Sequence, residues 1–398
     1  MSATPTAETE KDSAAPAATD PDADKVVINR KQFPCPQCGG AMGFIPGTHN
    51  LRCPYCGAES QIPETAKNVD GSIASAAKLR ELDYHEFIDR AEAEQAREKK
   101  IHLTHCNGCG ANITLADHVS AENCPYCGIP VVAQDFVQTA IEVQGLLPFQ
   151  INKENAYARF GAWLKSLWFA PNNLTARTMR DGVLNGVYTP YWTYDSKTTT
   201  TYAGERGEYY YTSETYADAN GRRRTRQVRH TRWYPAHGAV QVNFDDILVP
   251  ATKSLPRSLI ENLEPWDLQN LADFQAEFLS GYRAETYQIG LRDGFGVAEQ
   301  KMAPVIRSAV LRDIGGDEQR ILSSDTQHAD VTFKHILLPL WISAYRYRER
   351  TFRFVINGRT GEVQGERPYS WVKIALFVLT CLAAAGIGIY YLSQMEQG

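Results

Sequence analysis

The chain has 398 residues, 43% of them hydrophobic, and a formal net charge of −5. That length exceeds one ordinary domain and allows a sizeable core, while the acidic balance excludes a chain-wide attraction to nucleic acid, so any such contact needs a local basic patch. Eight of the nine cysteines fall in Cys-x-x-Cys pairs, which points to metal binding in a reducing compartment rather than to a disulfide scaffold.

Residues 1–32 are polar, rich in Ala, Pro, Thr and Asp, and hold no apolar run. They read as a disordered leader and not as a signal peptide. Next come two matching cysteine units. Cys35-Pro-Gln-Cys38-Gly and Cys53-Pro-Tyr-Cys56-Gly form the first, and Cys106-Asn-Gly-Cys109-Gly and Cys124-Pro-Tyr-Cys127-Gly the second; fourteen residues separate the inner cysteines of each, and one shift of 71 maps the first unit onto the second. A Cys-x-x-Cys turn places two sulfurs on one side of a tight knuckle, and the glycine after it supplies the left-handed backbone the knuckle needs. Facing knuckles give four thiolates in a tetrahedron, a set that suits zinc and leaves no open position for water or substrate. We therefore expect two four-cysteine zinc ribbons, at 33–63 and 101–133, each holding one structural Zn2+ that supplies most of its folding free energy. A redox pair would need a thioredoxin-like strand-to-helix setting, which these knuckles do not suggest.

Between the units, residues 64–100 read as a helical spacer, with Leu79, Leu82, Phe87 and Ile88 loosely periodic and a mixed charged face from Arg90 to Glu98. A larger domain spans 140–368. Leu146 to Phe149 reads as a short strand, and Asn152 opens a helix whose Ala156, Phe160, Trp163, Leu164 and Leu167 share one face. The Thr- and Tyr-rich stretch from Gly186 to Tyr211 reads as strands. A second helix is expected at about Val297 to Leu311, followed by strands at 331–341, 344–347 and 352–356 and a hairpin turn at Asn357-Gly358. Pro190-Tyr-Trp192 and Pro339-Leu-Trp341 fall at the same place in two helix-then-strands units, as a degenerate duplication of an α+β module would place them.

The most basic stretch is Arg222, Arg223, Arg224, Arg226, Arg229, His230 and Arg232, after the turn Asp218-Ala-Asn-Gly221. It rims a hairpin, open to solvent, to anionic headgroups or to nucleic acid. From Ile374 to Leu392 there is no charge, a length that crosses about 30 Å of hydrocarbon as a helix, with Tyr369, Trp371, Tyr390 and Tyr391 at its borders. Residues 371–392 thus read as a transmembrane helix and 393–398 as a short tail. Arg359, Arg367 and Lys373 on the near side place the bulk of the chain in the cytoplasm, as a single-pass protein of the inner (cytoplasmic) membrane.

No catalytic signature occurs. There is no Gly-Lys dipeptide and so no phosphate loop, and neither His-Glu-x-x-His nor Gly-x-Ser-x-Gly is found. His328 and His335 with Asp325 and Asp330 have metal-ligand content but no fixing spacing. Asp245 and Asp246 are adjacent on a strand and so are expected on opposite faces, and Gly294-Phe-Gly296, lacking the third glycine of a dinucleotide loop, reads as a turn.

The two cysteine units, Thr231-Arg-Trp233, Asp245-Asp-Ile-Leu-Val-Pro-Ala251, Pro265-Trp-Asp267, Lys334 to Trp341 and Asn357-Gly-Arg-Thr-Gly361 resemble a family of bacterial membrane-anchored double zinc-ribbon (TFIIB-type) proteins. Members are often labelled primosomal protein N′ (replication factor Y) or superfamily II helicase, although this chain lacks the helicase motor motifs. The resemblance implies an adaptor role beside phage-shock-like or flotillin-like membrane-stress proteins, and it supplies no catalytic residues. The expected fold class is α+β, with two ribbons, an antiparallel-sheet domain and one C-terminal transmembrane helix. The expected function is a non-enzymatic, tail-anchored adaptor whose ribbons form a rigid recognition head; the alternative is a membrane-tethered nucleic-acid-binding protein.

Overall fold

The computed structural model describes residues 33–63, 79–93, 100–106, 112–113, 121–124, 126, 130–132, 135–139, 141–171, 184–217, 222–347 and 350–395. The fold is mixed α+β with antiparallel sheets. The first cysteine unit carries a three-stranded sheet, β1 (Gly43–Phe44), β2 (Asn50–Arg52) and β3 (Glu59–Gln61). β4 (Leu82–Asp83) leads into helix α1 (Tyr84–Ala93), and the second unit contributes β5 (Lys100–His105), β6 (Asn112–Ile113), β7 (Ala121–Asn123), β8 (Pro130–Val132) and β9 (Asp135–Thr139). Among the described residues of the spacer, the helix is α1. Leu82 pairs with Phe333 in the main sheet and Lys100 is already strand, while 64–78 and 94–99 lie outside the described residues. Nor is α1 a free spacer: Tyr84 lies 4.9 Å from the Phe295 ring and Phe87 5.2 Å from Phe333, because its apolar face is large enough to be buried.

The body follows as β10 (Gly145–Leu146), helix α2 (Lys153–Ser166), β11 (Asn185–Ala217), β12 (Arg223–Pro250), a short α3 (Arg257–Glu261), β13 (Ala272–Asp273), β14 (Arg283–Ala284), helix α4 (Leu291–Ile314), β15 (Glu318–Tyr347), β16 (Arg350–Asn357), β17 (Val363–Gly365) and helix α5 (Trp371–Met395). α2 begins as its sequence implies, with Asn152 Oδ1 accepting from Asn155 N at 2.8 Å, and it buries Ala156, Phe160 and Leu164. α4 starts earlier than periodicity suggests and absorbs Gly294 and Gly296, so that stretch is helix and not turn. A Cβ on Gly294 would meet Tyr194 Oη at 2.5 Å and Trp192 Cδ1 at 2.8 Å, so the glycine admits the helix to the sheet.

β11, β12 and β15 run 33, 28 and 30 residues, far beyond the usual strand of about five or six. At their base the strands are buried on both faces. Tyr188 and Trp341 join a core with α2 and the first cysteine unit, whereas Val187, Tyr191, Leu338 and Leu340 join another with Cys106, Cys124 and Tyr126 of the second. Farther out α4 covers one face through Ala298, Met302, Ile306 and Val310, and Lys197, Thr199, Thr201 and Ala203 of the other face are exposed. The last pair of β11 with β15 is Gly207 with Glu318; beyond it β11 and β12 continue alone to Ala217 and Arg223, a two-stranded arm of about 30 Å.

Two helix-then-hairpin units, α2–β11–β12 and α4–β15–β16, pair antiparallel through β11 and β15, with Thr189 opposite Leu338. Trp341 Nε1 donates to Ile151 O just before the N-cap of α2, and Trp192 Nε1 donates to Ile289 O just before the N-cap of α4, both at 2.9 Å. Each unit's tryptophan thus holds the entrance of the other unit's helix. Trp192→Phe and Trp341→Phe each leave a carbonyl without its donor, and each should cost about 1–3 kcal/mol beyond the lost packing. Equilibrium unfolding of the full chain in detergent should show losses of similar size for the two variants.

Candidate metal centre and buried polar clusters

Cys35, Cys38, Cys53 and Cys56 come together, their sulfurs all within 4.8 Å of one another. Cys35 and Cys56 are 3.5 Å apart and Cys38 and Cys53 3.4 Å. A tetrahedral ion with metal–sulfur bonds of ~2.3 Å has edges of ~3.8 Å, so the set fits a metal ion. Each knuckle is closed by the same backbone pair: Gly39 N to Cys35 O and Cys35 N to Gly40 O at 2.9 and 2.7 Å, Gly57 N to Cys53 O and Cys53 N to Ala58 O at 3.0 and 2.8 Å. Gly39 and Gly57 have φ of 74° and 76°, the left-handed values expected of them. Backbone donation from Cys56, with Tyr55 adding, holds the Cys53 thiol down at about 6 against its desolvation. Cys38, though bonded to the Gly40 backbone, is pushed up to about 12 by the sulfurs around it. Four thiolates in this space repel one another, and a divalent cation relieves that repulsion.

This unit is not a separate head. Phe44 N donates to Ser280 O at 3.0 Å, Gly47 N to Phe149 O at 2.8 Å, and the Phe44 ring meets Phe278 edge-on at 5.2 Å. Two clefts, of about 390 and 670 Å³, flank the seam where Phe44 meets Gly281. Of the second unit, Cys106 and Cys124 are both buried; Cys109 and Cys127 lie outside the described residues. Tyr126, the counterpart of Tyr55, donates to Glu285 Oε2 at 2.9 Å and is fully buried, whereas Tyr55 is 80% exposed. Glu285 also accepts from Thr252 Oγ1 at 2.8 Å and from Ser254 Oγ, yet burial pushes its carboxyl up to about 7.

Asp245 and Asp246 do not obey strand alternation. The register of β11 with β12 shifts between Tyr194 and Ser196, so two aspartates oppose one, and Asp246 takes φ 52°. The bulge brings acidic oxygens of Asp195, Asp245 and Asp246 within 4.8 Å. Lys334, nearly buried, lies 2.7 Å from Asp246 Oδ1 and 3.3 Å from Glu81 Oε1, and desolvation raises Asp195 to about 6. The lysine neutralises part of this cluster, whose positions no sequence spacing announces.

The histidines and aspartates 325–335 do not converge. His328 Nδ1 bonds Ser196 Oγ at 3.0 Å, Asp330 pairs with Lys197 at 2.9 Å, and His335 lies buried with Nδ1 2.9 Å from Ile141 O and its ring 4.6 Å from Trp192. The Asn357-Gly-Arg-Thr-Gly361 string is a structural junction. Asn357 Oδ1 accepts from Arg359 N and Thr360 N at 2.8 and 3.1 Å and its Nδ2 donates to Leu263 O at 3.1 Å, while Arg359 Nε donates to Asp267 Oδ1 at 3.0 Å. With Arg359 Nη1 donating to Pro148 O at 3.1 Å and Gly358 N to Pro339 O at 2.8 Å, the turn is tied to three distant segments.

The basic run lies on the two-stranded arm. Arg226, Arg229 and Arg232 stand over Tyr216, Tyr209 and Tyr210 at 5.6, 4.2 and 5.1 Å, and Arg226 also pairs with Glu214 at 3.1 Å. Arg222, Arg223 and Arg224 are exposed at the same end, and 218–221 are outside the described residues. Helix α5 holds an 18-residue stretch, Trp371–Gly388, of mean hydropathy 1.9 with none of it buried, so among the described residues one helix is long and apolar enough to cross a membrane.

Fold and site together define a mixed α+β protein with a cysteine cluster able to hold a metal and one apolar C-terminal helix. A Bacillus subtilis (strain 168) protein described as "Uncharacterized protein YdjG" is 25% identical over 375 residues, covering 92% of this chain and 98% of that protein. No family model and no solved structure matches the chain.

Burial lowers His335 to about 4 from 6.5. Its folded value is depressed, so the unfolded chain takes up the proton first; the stabilising contribution is present above pH 6.5 and is lost as pH falls toward 4, about 3 kcal/mol in all. Thermal unfolding at stepped pH should show the parent losing that much more than His335→Asn over this window; parallel curves would contradict the assignment.

Proposed function

We propose that this chain is a membrane-held, zinc-binding adaptor, a non-enzymatic protein that presents an interaction surface at the cytoplasmic face of a bacterial inner membrane. The observation that carries the reading is α5: an 18-residue stretch whose one charge is Lys373, with none of it buried in the body, has a favourable environment in lipid and none in water. Arg367 and Lys373 lie on the body side and favour a cytoplasmic body, while Arg359 is already neutralised by Asp267 and adds little to that bias. A reducing cytoplasm also suits thiolate ligands.

The first unit is a four-cysteine zinc ribbon in this reading, and the second is its repeat, completed by Cys109 and Cys127. All-thiolate sites build shape rather than catalyse, since no ligand position is open. The family resemblance agrees, and it suggests phage-shock-like or flotillin-like protein partners. Because the first unit shares its core with the body, the surface left to a partner is the arm, where Tyr210, Tyr211 and Tyr216 are exposed among arginines, the residue types enriched at protein interfaces. Elemental analysis of the purified full chain should find two zinc ions per chain, and Cys56→Ser should reduce that to one. Chelation should lower the midpoint of unfolding of the body as well, because Cys35 and Cys53 are part of its core.

The arm also favours a second reading, a tethered nucleic-acid binder, because tyrosine faces between arginines can stack bases and neutralise phosphates. Detergent-solubilised full chain, purified from its own cells, separates the two. The adaptor reading expects a stoichiometric protein partner that is lost with Arg223→Glu/Arg229→Glu, and no retention of single-stranded DNA or RNA at about 50 mM salt. Salt-sensitive nucleic-acid binding without a protein partner would reverse the order of the two readings.

A further inference from the structure

We infer that the body has a second membrane contact: the turn at Trp168, Phe169 and Ala170, directly after α2, is immersed in the lipid interface beside the start of α5. The inference rests on the reading of α5 as a membrane helix. The turn and the helix are fastened to each other at several points. Ser370 N donates to Phe169 O at 2.7 Å, and Lys373 Nζ donates to Trp168 O and Ala170 O at 3.2 and 2.8 Å. The Phe169 ring meets Phe377 edge-on, with centroids 5.5 Å apart.

These contacts fix depth. Phe377 lies six residues after Trp371, about 9 Å farther along the helix axis. The uncharged run Ile374 to Leu392 measures about 28 Å, just matching a hydrocarbon core of about 30 Å. Holding Phe377 above the hydrocarbon would leave only Val378 to Leu392, about 22 Å, to cross it. With Phe377 below the boundary, Phe169 goes with it and carries Trp168 to the interface. The exposed side chains there suit that place. Trp168 is 75% exposed, Trp371 86% and Tyr369 56%, and amphipathic rings of this kind settle at headgroup level. Lys373, whose ammonium is bonded to the carbonyls of the turn, can sit at the boundary without leaving those donors unpaired.

The consequence is mechanical. A helix joined through a loose linker would let the body tumble, whereas two contacts on opposite sides of one clamp hold it at a set orientation, so that the arm leaves the membrane in a defined direction.

The test is site-specific photocrosslinking of the full chain in phosphatidylethanolamine and phosphatidylglycerol vesicles, with Trp168→p-benzoylphenylalanine, Leu379→p-benzoylphenylalanine in the helix, and Leu322→p-benzoylphenylalanine on the exposed part of β15 as the control. Trp168 packs into no core, so its replacement leaves folding intact, and zinc content checks this. Lipid adducts at 168 and 379 but not at 322 are expected. Adducts at 379 with none at 168 overturn the inference and leave the membrane helix standing; absence of adducts at 379 removes the membrane reading itself, and the inference with it. Adducts at all three positions also overturn it, since they would mean contact without a particular site.

Discussion

The body depends on a reciprocal pair of indole hydrogen bonds. Trp192 and Trp341 stand on adjacent antiparallel strands, and each reaches across to the carbonyl that precedes the other unit's helix. A part-buried carbonyl just before a helix lies outside the helix's own hydrogen bonding, so without the indole it would lose its donor. By meeting that need reciprocally, the two units lock the register of β11 against β15, and every other element of the main sheet is hung on those strands. The long strands then carry two different structures along one ladder. At the base both faces are buried and apolar, under the helix a single face is buried, and at the arm neither is.

The repeated cysteine units show how one sequence pattern acquires two environments. Shifted by 71 residues, Tyr55 and Tyr126 occupy the same knuckle position. One is exposed at the protein surface; the other is buried, with its hydroxyl on Glu285. The units enter cores on opposite faces of the same strands, so the shared sequence pattern does not decide what each tyrosine touches; the surrounding body does. For this reason the first unit is better regarded as part of the body's wall than as a free head.

Charge is handled similarly. A bulge places three aspartates together, and the arrangement persists because Lys334 is buried among them with Glu81 nearby. Removing one side of such a cluster costs more than the whole is worth, since a buried charge is left uncompensated. The arm follows the opposite rule: its arginines stand over tyrosine faces in water, where each contact contributes about 0.5–1 kcal/mol and where two strands alone are marginal.

Local chemistry decided what could be read from the sequence. The Cys-x-x-Cys-Gly knuckles of the first unit, the Asn152 cap, the Asn357-Gly358 turn and the uncharged run after Lys373 each satisfy a requirement within a few residues of themselves, and each appears where the sequence places it. The Pro-Trp positions repeat along the sequence, but what their indoles do is a long-range matter, since they bond carbonyls 97 and 190 residues away. What the sequence could not state is which faces meet. Strand alternation argued that Asp245 and Asp246 point apart, and only the pairing with β11 creates the bulge that turns them together; Gly294 looked like a turn until the rings of Trp192 and Tyr194 were seen to demand a glycine in a helix. His335 shows no pattern at all, because its burial comes from side chains contributed by three separate segments. The sequence by itself determined the knuckles, the caps and the apolar helix, which are governed by interactions between near neighbours; the tertiary structure decided the fused cysteine unit, the bulged acidic cluster and the fastening of α5 to the turn after α2, which are governed by contacts that only the folded chain brings together.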